Sequence, residues 1–148
     1  MSMAWTLQDR VPTPAEHRRL AESVGWHHAF DWPSLPQSLD GSTLGVVAVT
    51  DDAAVGMARV VGDGVKYFYV QDVAVDPGYQ GAGIGRALLE RVLAEIGARA
   101  PAPAFVGLFA TQDGDALYRS VGFDTGDMIG MVRTVDRGPE ARAPRLAS

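Results

Sequence analysis

From Gln80 to Gly85 the chain reads Gln-Gly-Ala-Gly-Ile-Gly, and with Gly78 four glycines fall within eight residues. Glycine loses more backbone freedom on folding than any other residue, so such a cluster is costly unless bare backbone is needed there. Upstream lies a strand-like run, 65–75, closed by Pro77. Downstream, Ile84, Leu88, Leu89, Val92, Leu93 and Ile96 recur at helical spacing, with Arg86, Glu90, Arg91 and Glu95 on the other side. A strand, a glycine turn and a helix N-terminus in that order form an anion-binding arrangement. Unsatisfied N–H groups and the positive end of the helix dipole then face the ligand.

Three phosphate-binding patterns compete for this loop. A Walker A motif has a Lys after its last glycine; Gly78 and Gly83 have the spacing, but Ile84 stands in the Lys position. A dinucleotide fingerprint reads Gly-x-Gly-x-x-Gly. Here Gly81, Gly83 and Gly85 give Gly-x-Gly-x-Gly, and no acidic residue lies between Arg99 and Thr111 to hold a ribose. The pattern Gln-x-x-Gly-x-Gly is met at every specified position.

The flanking sequence supplies a plausible scaffold. A short strand is expected over 4–7. Thr13, Pro14 and Glu16 combine an N-cap, a first-turn proline and a capping box, which predicts a helix ending near Gly25. Residues 26–42 read as irregular. Strand-like runs at 44–50, 54–61 and 65–75 are separated by hairpin-length turns and predict an antiparallel meander. The helix after the glycine loop is expected to stop at Gly97. A buried strand over 105–110, a short helix over 113–121 and a last strand over 128–135 follow. The predicted class is α+β: a mixed central sheet with an antiparallel N-terminal meander and a strand–loop–helix–strand unit, flanked by helices. One domain is expected over 1–135, with a disordered tail at 136–148 rich in Pro, Arg and Ala.

Composition narrows the function. A chain of 148 residues, 47% hydrophobic and 21% charged, suits one soluble globular domain. Its net charge of −5 gives no general pull toward nucleic acid or an anionic membrane. The chain contains no cysteine, which excludes disulfides, thiolate zinc sites and cysteine nucleophiles, and no metal site is expected. The first ten residues lack the basic start and apolar run of a signal peptide, and no apolar stretch could span a bilayer. The expected location is cytoplasmic.

On these residues the chain resembles the GNAT superfamily of N-acetyltransferases. The resemblance rests on the Gln80–Gly85 loop, the strand end Asp72-Val73-Ala74-Val75-Asp76-Pro77, the amphipathic helix, and Tyr118 followed by Gly122-Phe123. It covers roughly 4–135. It implies an enzyme that moves an acetyl group from acetyl-CoA directly to a small-molecule or peptide amine. The amides of Gln80, Gly81, Ala82, Gly83, Ile84 and Gly85, with Arg86, would cradle the pyrophosphate. Val73, Ala74 and Val75 would lie along the pantetheine arm, the Val75 amide facing the thioester carbonyl as an oxyanion donor. Tyr118 would donate a hydrogen bond to the departing thiolate. Full proton transfer is uphill by about 2 kcal/mol, from a Tyr pKa of about 10 to a thiol near 8.5. Asp72 is the candidate general base, with a bound water as the alternative. Homodimers are frequent in the superfamily, so a homodimer is possible here. The alternative function is a non-catalytic acyl-CoA-binding sensor or regulatory module.

Other residues are candidates for the acceptor side. His27 and His28 follow the first helix, and a histidine near pKa 6.5 suits proton transfer. Trp26, Phe30 and Trp32, with Asp31 among them, suggest an aromatic wall with a carboxylate for an ammonium group; the alternative is a loop pinned to the core. Tyr67 and Tyr69 share one strand face, either core or cleft. Arg86 either reaches phosphate or pairs with Glu90. His17 is expected on the exposed side of its helix, with no special role.

Overall fold

A computed structural model describes residues 4–137. The chain runs β1 (Thr6–Gln8), α1 (Pro14–Ser23), α2 (Leu35–Asp40), β2 (Leu44–Val49), β3 (Ala54–Gly62), β4 (Tyr67–Val75), α3 (Ile84–Arg99), β5 (Phe105–Gly107) and α4 (Asp115–Ser120). The strands form one sheet in sequential order, antiparallel from β1 to β4, with β5 parallel to β4. The class is α+β, with a mixed sheet as predicted.

α1 begins at its capping box. The Thr13 hydroxyl accepts from the Glu16 N–H, and the Glu16 carboxylate accepts from the Thr13 N–H at 2.9 Å. Arg10 grips the same carboxylate with two bonds of 2.7 and 3.0 Å. That contact is the main cause that pulls the Glu16 carboxyl from its ordinary 4.5 to about 2. Leu20 and Ala21 of α1 cover one face of the sheet, against Val47, Met57 and Ala74. On the other face, Ile84, Leu88, Leu89, Val92 and Ile96 of α3 cover Val46, Ala58, Val60 and Phe68. Full burial of such a side chain is worth roughly 1.5–3 kcal/mol, more than a surface ion pair, so these two layers hold the sheet.

β4 carries one extra residue against β3. Arg59 faces Gln71 while Met57 faces Ala74, so a bulge lies between them. The bulge inverts the strand's alternation. Phe68 and Val70 face α3 before it; after it Val73 and Val75 face α3, and Ala74 faces α1.

Several elements differ from the sequence-based expectations. Residues 26–42 are not irregular throughout: a 3-10 turn at Trp32–Ser34 leads into α2, which buries Leu35 and Leu39 one turn apart. Six residues are too few for a helical period to stand out. The first strand lies at Thr6–Gln8, two residues later than expected at its start. α3 continues through Gly97, which stays helical, and ends at Arg99, with Ala100 extended before Pro101. β5 is three residues long and ends at Gly107. Residues 128–135 form no strand, because so short an edge offers them no ladder. Met128, Ile129, Met131, Val132 and Val135 stay exposed. The expected tail at 136–148 lies outside the described residues from 138 onward. Among the described residues no helix is long and apolar enough to cross a membrane.

The folded Glu16 carboxyl sits below its unfolded value, so its stabilisation is complete above about 4.5 and is lost as pH falls toward about 2. Glu16→Gln should cost about 1 kcal/mol at neutral pH, the usual size of a capping loss. In melts followed by circular dichroism, its deficit against the parent should shrink steadily below pH 4.5.

Candidate active site

The glycine loop is built by small, separate contacts. The Asp76 carboxylate accepts from the Gly78 N–H at 2.8 Å, and the Tyr79 N–H returns to the Asp76 carbonyl at 2.8 Å. Gln80 donates from Nε2 to the Val75 carbonyl at 3.1 Å, tying the loop back to the end of β4. Gly81 and Gly83 take φ of +84° and +83°, and nothing stands within 4 Å of where their Cβ atoms would be. They therefore border open space in a conformation that disfavours side chains. Gly85 is needed for packing instead: a Cβ there would come 3.0 Å from Leu117 Cδ2, where α3 starts against α4.

From Gly81 to Arg86 no backbone N–H donates to an acceptor among the described residues. The first return bond runs from the Ala87 N–H to the Gly83 carbonyl at 3.1 Å. A run of orphan donors at the positive end of a helix suits a diphosphate, so the residues present fit coenzyme A. Arg86 lines the same cleft, its Nε 2.7 Å from the Glu90 carboxylate in an exposed pair that holds it only weakly.

Beyond the loop, β4 parts from β5. Their pairing ends at Tyr69 opposite Gly107. The Asp76 N–H donates to the Val55 carbonyl at 2.9 Å on the β3 side. By strand alternation Val75 points its N–H and carbonyl into the gap on the opposite side. Gln80 takes the carbonyl, and the Val75 N–H remains available. The gap opens into a cleft of about 1080 Å³ that runs from the glycine loop to Trp26, Phe30, Tyr69 and Phe109. Tyr118 of α4 also lines it. Its ring meets Phe123 edge-on at 6.3 Å, and Gly114 makes room, since a Cβ there would lie 2.9 Å from Tyr118 Cε2. Burial pushes the Tyr118 phenol up, so it is protonated at neutral pH and can act as a donor.

At the far end of the cleft the structure sorts the remaining candidates. Phe30 lines the cleft, as do Trp26 and Tyr69, whose ring lies 5.5 Å from that of Phe109. Trp32 does not: it stacks behind Phe30 at 5.3 Å, under the Arg18 guanidinium. Asp31 turns away to accept from the Ser34 N–H at 3.1 Å, capping the 3-10 turn before α2. His27 and His28 are exposed and outside the cleft, with His27 3.8 Å from Glu22. Tyr67 is exposed beside Phe105 on the sheet edge.

Asp72 does reach the cleft, but it is already engaged. Its carboxylate accepts from Arg59 Nε at 2.8 Å and from His17 Nε2 at 2.9 Å. Burial pushes its carboxyl up; the hydrogen bonds from His17 and Arg59, helped by the charge on Arg59, outweigh that and hold it below the usual carboxylate value. A carboxylate so held is a weak base near neutral pH. His17 itself overturns the expectation of an exposed histidine: it is 0% exposed. The available signal was its spacing, three and four residues before Leu20 and Ala21 on the buried face of α1.

Comparison with known proteins gives the family and the fold. The family model described as an acetyltransferase (GNAT) domain matches residues 41–125, more than half of the chain. The [ribosomal protein bS18]-alanine N-acetyltransferase of Escherichia coli K12 is 40% identical over 102 residues, which are 66% of this chain and 67% of that protein. Serotonin N-acetyltransferase 2, chloroplastic, from Oryza sativa is 41% identical over 69 residues, 47% of this chain. The chain spans only about a third of that relative, 34% of its length. A GNAT-family acetyltransferase from Streptococcus pneumoniae TIGR4 shares the fold with a TM-score of 0.76 at 31% identity, over 90% of this chain and 100% of that one.

Gly83→Val places a branched side chain at φ +83° beside the orphan amides. The variant should lose about 1–2 kcal/mol of stability from backbone strain. Added coenzyme A should raise the melting temperature of the parent and leave that of the variant unmoved.

Proposed function

The chain belongs to the GNAT family of acetyl-CoA-dependent N-acetyltransferases, and from that premise we propose that it acetylates a primary amine carried on an apolar, non-anionic body. The observation that carries the reading is a cleft with two sets of free N–H donors, those of Gly81 to Arg86 at the glycine loop and that of Val75 at the edge of β4, which runs on to aromatic walls. When bound, acetyl-CoA supplies an acetyl group activated as a thioester. The amides of Gly81 to Arg86 hold the diphosphate, with Arg86 as an added charge. Val73, Ala74 and Val75 line the pantetheine, and the Val75 N–H is the donor available to a carbonyl oxygen beside β4. Tyr118 keeps its proton on Oη and presents it to the departing sulfur.

The acceptor class follows from the cleft wall. Trp26, Phe30, Tyr69 and Phe109 supply apolar surface. Away from Arg86 the charged groups lining the cleft are Asp72, already paired with Arg59, and Asp113, so an anionic acceptor would find no cation there and one repelling carboxylate. An arylalkylamine satisfies both conditions, and the rice relative is named for such an amine. With Asp72 held by Arg59 and His17, the ammonium proton leaves through water at the open mouth of the cleft.

Coenzyme A thiol release can be followed with 2-phenylethylamine, tryptamine, an Ala-starting peptide and glucosamine 6-phosphate as acceptors. The aromatic amines should exceed the sugar phosphate in kcat/KM by at least about tenfold, or 1.4 kcal/mol. A preference for the sugar phosphate would overturn the acceptor class. Tyr118→Phe should keep acetyl-CoA affinity and lower kcat by about ten- to a hundredfold; an unchanged kcat would remove that role.

A further inference from the structure

We propose that Asp72 is a positioning residue which, locked by His17 and Arg59, fixes the phase of the β4 bulge and thereby turns the Val75 amide into the cleft. The proposal rests on the reading of that cleft as the acetyl-CoA site. Asp72 is the one non-glycine residue among the described ones with a left-handed backbone, at φ 55°. An L-residue held there costs about 1–2 kcal/mol, less for Asp than for most, and persists where its surroundings over-determine it. Here they do. Asp72 lies within the inserted step of the bulge, and its carboxylate is held by donors from two other elements, α1 and β3.

The lock is buried and extends further. Arg59 is 8% exposed and His17 0%. The remaining guanidinium N–H groups of Arg59 donate to the Ser38 carbonyl, Ser42 Oγ and Ser38 Oγ, each at 3.2 Å. α1 and β3 thus meet the bulge at one carboxylate, and Arg59 ties α2 to the same cluster. A buried ion pair is a poor source of stability compared with apolar side chains of the same size, so a geometric role explains the cluster better than a stabilising one. His17 Nδ1 has no hydrogen-bond partner among the described residues, and its ring packs edge-on against Phe30 at 4.8 Å. The same lock therefore also backs the aromatic wall of the cleft.

The consequence is one of parity. Without the extra residue, the strand beyond Gln71 would alternate in the opposite sense, and the Val75 N–H would turn toward β3. Ala74 would then present its amide to the gap, with its neighbours' side chains exchanged between the α1 and α3 layers. The bulge avoids this, and Asp72 holds the bulge.

The test compares Asp72→Gly, which tolerates the left-handed backbone without the lock, with His17→Leu, His17→Gln and the Asp72→Gly/His17→Leu double variant. Calorimetry with coenzyme A and acetyl-CoA reads the site without turnover, and amide hydrogen exchange reads residues 72–75 without any ligand. Asp72→Gly and His17→Leu should each bind coenzyme A as the parent does, lose about tenfold in acetyl-CoA affinity and in kcat toward 2-phenylethylamine, and keep the shape of the pH profile. The double variant should be no worse than either single one, because both break one lock. His17→Gln, which retains a donor, should recover most of the loss. Exchange at 72–75 should quicken in Asp72→Gly and hold elsewhere. Loss of one limb of the pH profile with acetyl-CoA affinity intact would make Asp72 the base and overturn the proposal. A lower melting temperature with binding, kcat and local exchange unchanged would reduce the cluster to a structural pair. Failure of the parent itself to bind coenzyme A would refute the site reading separately, and the exchange data would still decide the lock.

Discussion

A helix cannot satisfy the N–H groups of its own first turn, and much of this molecule is arranged around that fact. At the start of α3 the deficit is extended backward through Gly81, Ala82 and Gly83, so the orphan donors form a continuous strip facing open space. Burying such a strip without partners would be costly; leaving it open at the positive end of a sixteen-residue helix makes it an anion seat. The chain is acidic overall, at −5, so the seat works through local dipoles and not through net charge. Gln80 fastens the loop to β4, and Gly85 lets α3 approach Leu117, so the seat is held at both ends.

The second constraint lies in β4. A regular strand pairs on both edges or leaves one edge unsatisfied along its length. β4 pairs with β5 only through Tyr69 and then leaves its second edge to the cleft. The bulge at Asp72 decides which amides that edge presents. Its anchors, His17 from α1 and Arg59 from β3, meet it on the face of the sheet opposite α3, so the two faces have separate tasks. α3 carries the strip of open amides proposed to seat the diphosphate, while α1 and the segment after it back the strand edge and the aromatic wall.

The parts that were legible in the sequence are those whose signals are local. Thr13 and Glu16 announce a capping box within four residues, the hairpin turns announce the meander, and the glycine spacing singles out the loop. The parts that were not depend on contacts distant along the chain. His17 meets Asp72 across 55 positions, and nothing near either residue reports the other. The backbone of Asp72 is unremarkable in the sequence, because aspartate does not mark a left-handed residue as glycine does. Asp31 and Trp32 read as cleft residues from composition, yet a cap and a stacked ring claim them. The apolar run at 128–135 reads as a strand from its residue types, which do not report the presence of a neighbouring ladder.

The central claim, that backbone N–H groups of the glycine loop grip the diphosphate, is tested most directly by an amide-resolved titration with coenzyme A in nuclear magnetic resonance. The account predicts that the amides of Gly81 through Arg86 move first and furthest, with Val75 following as the pantetheine settles along β4. Saturable binding that left those loop amides unshifted, while resonances elsewhere moved, would contradict it.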